Sequence, residues 1–320
     1  MTNPALHPFI KGHGAENDFV ILPDPENHLI LTPERVARLC DRRTGLGADG
    51  VLRAVRCAAD PEATAMTAAE WFMDYRTPDG SLGAMCGNGL RLLARYLVDA
   101  GLHRPGALLI ATRAGTRRVH VPDDHTGPVT IDMGRPRLSG AGGIQVTSAG
   151  RSWPAVHVDM GNPHAVVFLE DTALAGDLRT APTVTPTAAY PHGATVGFVT
   201  TRGPHHLQLR VHERGVGETR ACGTGACAAV AAARAHQPAP PVAIRYTADL
   251  PGGRLHVVVR PDGAIDLTGP AVITAQGTVR LTQPSDSRLP AGAAGTWAQR
   301  GSGESETGPF RGSRAEHAQG

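Results

Sequence analysis

Two stretches of this chain carry residues that could do chemistry, and they share one pattern. Met85-Cys86-Gly87-Asn88-Gly89 and Ala221-Cys222-Gly223-Thr224-Gly225 both read Cys-Gly-x-Gly. Each leads into a helical run. After the first, Leu90, Leu93, Ala94 and Leu97 fall at the spacing of one buried helical face, and Gly101 stops the run. After the second, an alanine-rich run extends to about His236 and ends in Pro238-Ala239-Pro240-Pro241. A helix N-terminus presents unpaired N–H groups and the positive end of a dipole. A thiol placed there has its thiolate favoured, so both thiols are predicted to ionise below the free value of about 8.5. The glycines let a ligand approach the backbone, and the amides around Gly87-Asn88 and Gly223-Thr224 could hold a carboxylate.

Two such thiols on opposite sides of one ligand form an acid and a base, one on each face of a carbon. That arrangement suits inversion of a carbon next to a carboxylate. Pyridoxal phosphate would need a lysine for its Schiff base, and Lys11 is the only lysine among 31 basic residues. A site without a cofactor must instead stabilise the developing carbanion with donors in a dry cavity. Other readings stay open. A cysteine hydrolase could pair one thiol with His164, but it leaves the second matching thiol without a role. A dithiol redox pair needs only that the thiols be close. A non-enzymatic binding module gives neither thiol a task. A metal site on Cys222 and Cys227 lacks zinc-ligand spacing, so no metal is expected.

The elements that must position these residues can be traced along the chain. Ile10 to Leu22 reads as strand, polar glycine turn and strand, with Asn17-Asp18 as turn residues on local chemistry alone. Thr32-Pro33-Glu34 starts a helix with Val36, Leu39 and Cys40 on its inner face. Arg43-Thr44-Gly45-Leu46-Gly47-Ala48-Asp49-Gly50 resembles a phosphate loop, but it lacks Gly-Lys-Ser/Thr and enters a strand, which excludes that role. Residues 107–147 alternate short β-like runs with turns, and near Asp124-His125-Thr126-Gly127 the chain crosses into a second domain. Ala155–Met160 and Ala165–Leu169 flank Gly161-Asn162-Pro163-His164. Asp171 to Thr187 is a polar, proline-rich connection with a short helix. Leu207, Leu209 and Val211 form one face of a strand that delivers Glu213-Arg214-Gly215 towards Cys222. Further strands are predicted near 242–248, 254–260 and 278–282. Residues 285–320, rich in Gly, Ser, Glu, Arg and Ala, read as a disordered tail.

Bulk properties narrow the class. A length of 320 residues suggests two domains, and 41% apolar residues suffice for packed cores. The net charge of +2 is too balanced for a nucleic-acid surface. No apolar run approaches the length of about 20 residues that spans a bilayer. Five cysteines at irregular spacing fit a reducing compartment, so a soluble cytoplasmic protein is expected.

The chain resembles the diaminopimelate epimerase family from about Phe9 to Leu281. The resemblance rests on Asn17-Asp18-Phe19, Gly45-Leu46-Gly47-Ala48-Asp49-Gly50, the Cys86 stretch, Gly161-Asn162-Pro163-His164, and Glu213-Arg214-Gly215 leading to the Cys222 stretch. It implies an isomerase that converts LL- to meso-diaminopimelate in lysine and peptidoglycan precursor synthesis. The implied catalytic acid/base residues are Cys86 and Cys222, supported by His164 and Glu213. The implied substrate-binding residues are Asn17, Gly87, Asn88, Asn162, Glu213, Arg214, Gly223 and Thr224. The implied fold is α+β, with two similar pseudo-symmetric domains. Each is a curled mixed or antiparallel sheet around a central helix, with the active site in the cleft between them. The domains are expected at 1–126 (with a returning strand at 272–284) and 127–271. A small-molecule amino-acid substrate, no cofactor and a homodimer are also implied. Two departures stand out: Thr77 and Thr195 occupy positions where the family has asparagines that bind the substrate's distal end. An amide offers more bonds than a hydroxyl, so a related racemase with another amino-acid substrate is the alternative within the class.

Overall fold

The computed structural model describes residues 6–138, 142–238 and 240–281. The tail expected to be disordered lies outside the described residues.

The first half of the chain contains β1 (Leu6–Gly14), β2 (Asn17–Pro23), α1 (Pro33–Cys40), β3 (Val51–Arg56), β4 (Trp71–Arg76), α2 (Gly87–Asp99), β5 (Gly106–Ala111), β6 (Arg117–Val121) and β7 (Val129–Gly134). The second contains β8 (Gln145–Ser148), β9 (Arg151–Asp159), β10 (Pro163–Phe168), β11 (Thr183–Thr185), β12 (Thr195–Gly203), β13 (His206–Glu213), β14 (Gly217–Thr219), α3 (Gly223–Ala233), β15 (Ile244–Leu250), β16 (Gly253–Val259), β17 (Ile265–Gly269) and β18 (Val272–Arg280).

One series of strand pairings occurs twice. In the first half β1 pairs antiparallel with β2, β2 parallel with β3, and β3 antiparallel with β4. After α2, β4 pairs parallel with β5, then β5–β6 and β6–β7 are antiparallel. The second half repeats this order through β9, β10, β12 and β13, then through β15, β16 and β17 on the far side of α3. The strands β7 and β17 pair with each other and join the halves, and β18 returns to lie against β1. The fold is therefore α+β, a mixed sheet with few helices and two repeated halves, as expected.

Local sequence explains the elements. Thr32 caps α1, its Oγ1 accepting the Arg35 amide at 3.4 Å, and Pro33 fills the first helical position. Phe19 to Leu22 is an unbroken apolar run because β2 is covered on both faces. Both α2 and α3 are buried almost all round, and one apolar cluster continues from the leucines of α2 through Val129, Ile131 and Leu267 to the alanines of α3.

The structure differs from the sequence reading in four places. Asn17 and Asp18 are not turn residues but the first two of β2; the turn is Ala15-Glu16, with φ of 53° and 61°. That two-residue turn sets Gly14 opposite Asn17. The connection after Asp171 holds two short 3₁₀ turns and the three-residue β11. The short strands β8, β14 and β17 were not predicted. The last predicted strand begins earlier, at Val272.

Candidate active site

Each Cys-Gly-x-Gly forms a helix start as predicted. Cys86 is the N-cap of α2 and Cys222 the N-cap of α3, both with extended backbone. Cys222 Sγ accepts the Gly225 amide at 3.3 Å and lies 3.5 Å from Thr224 Oγ1. Cys86 Sγ faces Asn17 Oδ1 at 3.7 Å, across from the start of β2.

The two helix starts meet. Asn88 Nδ2, in the first turn of α2, donates to the Ala221 carbonyl at 3.0 Å, one residue before Cys222. A Cβ added at Gly223 would lie 4.0 Å from Gly87 Cα and only 2.8 Å from Leu267 Cδ2. The same Leu267 methyl lies 3.6 Å from a Cβ at Gly87. A side chain at Gly223 would therefore press on the Leu267 methyl and reach Gly87 at van der Waals distance.

Further groups converge from strand ends. Glu213, at the end of β13, is bonded by Thr219 Oγ1 at 2.6 Å and reaches Cys222. The Arg214 amide contacts Thr195 Oγ1 at 3.5 Å, and Thr195 lies opposite His164 in the β10–β12 pairing. His164 is buried, with Nε2 at 3.2 Å from Asn162 Oδ1. Asn17 is held by Asp49, which accepts from its Nδ2 at 2.8 Å. Asn17 Oδ1 also accepts from Asn88 Nδ2 at 3.1 Å.

Bonds and close approaches thus link Asn17, Cys86, Gly87, Asn88, Cys222, Gly223, Thr224 and Glu213, and pairing or bonds connect Arg214, Thr195, His164 and Asn162 in a second group. Thr77 stands apart. Its hydroxyl is used within its own turn, donating to Asp79 Oδ1 at 2.6 Å. The Arg214 side chain is exposed and donates to the His192 carbonyl at 3.2 Å. Sequence reasoning missed four positions in this architecture: Asp49, Thr219, Leu267 and Arg91. Arg91 Nη2 donates to Asn88 Oδ1 at 2.7 Å. Asp49 lay in a motif already singled out, and the alternation of Ile265 and Leu267 with Asp266 and Thr268 could have revealed β17.

The expected lowering of the thiol pKa values is corrected by the structure. Enclosure pushes Cys86 up to about 11, against the pull of the Asn88 and Gly89 amides. Burial, with the Glu213 charge beside it, pushes Cys222 well above the usual thiol value. Loss of solvation outweighs the helix terminus at both sites. Burial also raises the Glu213 carboxyl and lowers His164 to about 4, so His164 is a neutral imidazole at physiological pH.

The sequence model of the diaminopimelate epimerases matches residues 9–139 and 156–274, one segment in each half. A diaminopimelate epimerase from Streptomyces coelicolor is 56% identical over 274 residues, covering 84% of this chain and 94% of the relative. One from Thermobifida fusca is 47% identical, covering 86% and 98%. Among solved structures, a phenazine biosynthesis protein of the PhzF family from Bacillus anthracis aligns with a TM-score of 0.64 at 18% identity, over 86% of this chain and 99% of that one. A hydroxyproline epimerase from Agrobacterium vitis aligns with a TM-score of 0.63 at 15% identity, over 88% and 94%. Similarity at that level concerns the fold.

Proposed function

The chain belongs to the diaminopimelate epimerase family, and we propose that it inverts one α-carbon of LL-diaminopimelate, giving the meso isomer, with Cys86 and Cys222 as the two bases. The observation that carries this reading is the meeting of two helix starts, each capped by a thiol.

One sulfur, as thiolate, takes the α-proton. The other, as thiol, gives its proton to the opposite face of the same carbon. The thiol and thiolate have then exchanged places, and the reverse reaction starts from the exchanged state. The amides around Gly87-Asn88 and Gly223-Thr224 hold the α-carboxylate. Negative charge moves onto that carboxylate as the C–H bond breaks, so bonds from fixed amides strengthen in the transition state. The raised thiol pKa values suit this step. An α-hydrogen is weakly acidic, and a thiolate of higher pKa is a stronger base towards it, at the expense of a smaller ionised fraction. Glu213, bonded to Cys222, supports that sulfur as it changes protonation. His164, neutral, lines the cleft without placing a positive charge there.

The distal end of the substrate is assigned to Asn17, Asn162, Arg214, Thr77 and Thr195. Arg214 can hold a carboxylate bidentately, and among the described residues no acidic group pairs with it. The lobes are assigned to residues 1–126 with 272–284, and 127–271. The mechanism uses no cofactor. A cytoplasmic homodimer completes the proposal; no helix among the described residues is long and apolar enough to cross a membrane.

The test is solvent deuterium uptake at the α-carbon of LL- and meso-diaminopimelate, with lysine, glutamate, arginine and histidine alongside. Uptake with the diaminopimelate isomers is expected. Exchange confined to another amino acid would move the substrate, and no exchange with any would sink the epimerase reading.

A further inference from the structure

The two helix starts form a natural comparison, because most influences on their thiols are shared. Both thiols are N-caps, both precede Gly-x-Gly, and both face amides of their own first turn. The dipole and the amides therefore act alike on both. The difference lies five residues further on, where α2 has Arg91 and α3 has Cys227.

Arg91 is wholly buried. Its Nη2 donates to Asn88 Oδ1 at 2.7 Å and its Nε to the Pro270 carbonyl at 3.2 Å, while Nη1 has no hydrogen-bond partner. Among the described residues no carboxylate pairs with it. Two glycines make its space: a Cβ at Gly14 would lie 3.0 Å from Nη2, and one at Gly269 would lie 3.1 Å from Cζ. A lone buried cation is costly, and burial pulls its pKa down to about 10, which still leaves it charged at neutral pH. Its charge acts on Cys86 and on Cys227. The Glu213 carboxyl, bonded to Cys222, raises both thiols, whereas the Arg91 charge lowers Cys86.

Building on the two-thiol reading above, we propose that Arg91 is a positioning residue that makes the two bases unequal. Its charge assigns the thiolate of the unliganded enzyme to Cys86, and its fork fixes Asn88 across the junction of the halves. Asn88 turns its carbonyl to Arg91, which leaves its Nδ2 for Asn17 and for the Ala221 carbonyl. The charged and titratable groups acting on Cys86 are Glu213 from β13, which raises it, then Arg91 from α2, which lowers it, and Tyr75 from β4, with Asp49 reaching it through Asn17. Those acting on Cys222 are Glu213, Thr224 and Cys86. In the small ionised fraction of the unliganded enzyme, the isomer whose α-hydrogen faces Cys86 then reacts directly. The other isomer first needs one proton taken up at Cys86 and one lost from Cys222.

The experiment is alkylation of the full-length, substrate-free enzyme by iodoacetamide across a pH series, with Cys86 and Cys222 quantified separately by peptide mass spectrometry. In the wild-type chain the Cys86 midpoint should lie below that of Cys222. Arg91→Gln keeps a donor for Asn88 and removes the charge. It should slow Cys86 alkylation at a fixed pH about tenfold, one unit of midpoint, and leave the Cys222 midpoint in place. Arg91→Lys should restore the Cys86 midpoint. An unmoved Cys86 midpoint in folded Arg91→Gln, or Cys222 ionising first in the wild type, overturns the proposal. If Arg91→Gln does not fold, the wild-type order of midpoints decides. Deuterium exchange on diaminopimelate is read separately: exchange with equal midpoints rejects the inequality of the bases alone, whereas no exchange rejects the epimerase reading.

Discussion

The helices α2 and α3 occupy equivalent places in the two halves, yet they fill them by opposite means. Around α2 the helix supplies the bulk, with Leu90, Leu92, Leu93 and Leu97 fully buried. Around α3 the helix is slender, a run of Gly, Ala and Cys with the single large residue Val230, and the enclosing strands supply the volume. Only α2 carries charge inward, at Arg91 and Arg95. One backbone plan thus tolerates two divisions of volume, while the first turn keeps the same Cys-Gly-x-Gly. Packing can drift between the repeats where only space must be filled. The shared first turn is the part that has not drifted, as the proposed role of its amides requires.

The largest test of this comparison removes the shared feature. Cys86→Ala and Cys222→Ala should each lower inversion of diaminopimelate by on the order of a thousandfold or more, within the range for loss of a general acid or base. Polarimetry or a coupled assay on LL-diaminopimelate reads this, and a variant with wild-type inversion would break the equivalence of the two helix starts.

The next test separates the helices by volume. Leu93→Ala in α2 should destabilise the fold by about 2–5 kcal/mol through a cavity. In α3 the damaging direction is reversed. Ala229→Leu should cost about 1–3 kcal/mol by overpacking against strands that leave no room. Urea unfolding of the pair measures both, and tolerance of Ala229→Leu would mean that the α3 side is not filled by its strands.

The smallest effect concerns the entry strands. Asn17 opens β2 and cannot titrate, whereas His164, near the start of β10, can. Burial holds His164 at about 4, below the ordinary 6.5, so between those values the unfolded chain binds more protons than the folded one. Stability from this group is fully present above about pH 6.5 and falls towards pH 4, by at most roughly 3 kcal/mol. Glu213, with its raised pKa, works in the opposite sense. The difference between wild type and His164→Asn across this range isolates the histidine. Parallel stability curves for the two would remove the assignment.

The sequence made much of this legible, for physical reasons. A cysteine before Gly-x-Gly and a helical run has one local interpretation, and the structure makes both N-caps. Thr32-Pro33 behaves likewise. Tertiary burial was not legible. The thiols looked activated because the helix terminus is visible in sequence and the enclosing walls are not. Nothing in the sequence marks Arg91 and Arg95 as buried, since arginine on a helix usually faces solvent. β17 was not predicted: it is only five residues long, set between the turn residues Pro261-Asp262-Gly263 and Pro270. It nevertheless supplies Leu267 between the helix starts.

That leucine and the Asn88–Ala221 bond constrain how the molecule can flex. They join the first turns of α2 and α3, the residues directly following or preceding the two cysteines. A swing of one half against the other that preserves this joint has its pivot there. Displacement then grows with distance from the pivot, like the tips of a pair of tongs. The sulfurs, carried by the two first turns that this joint ties together, stay nearly fixed relative to each other. Motion of that kind would leave the spacing of the two thiols constant while parts of the halves further from the joint move more.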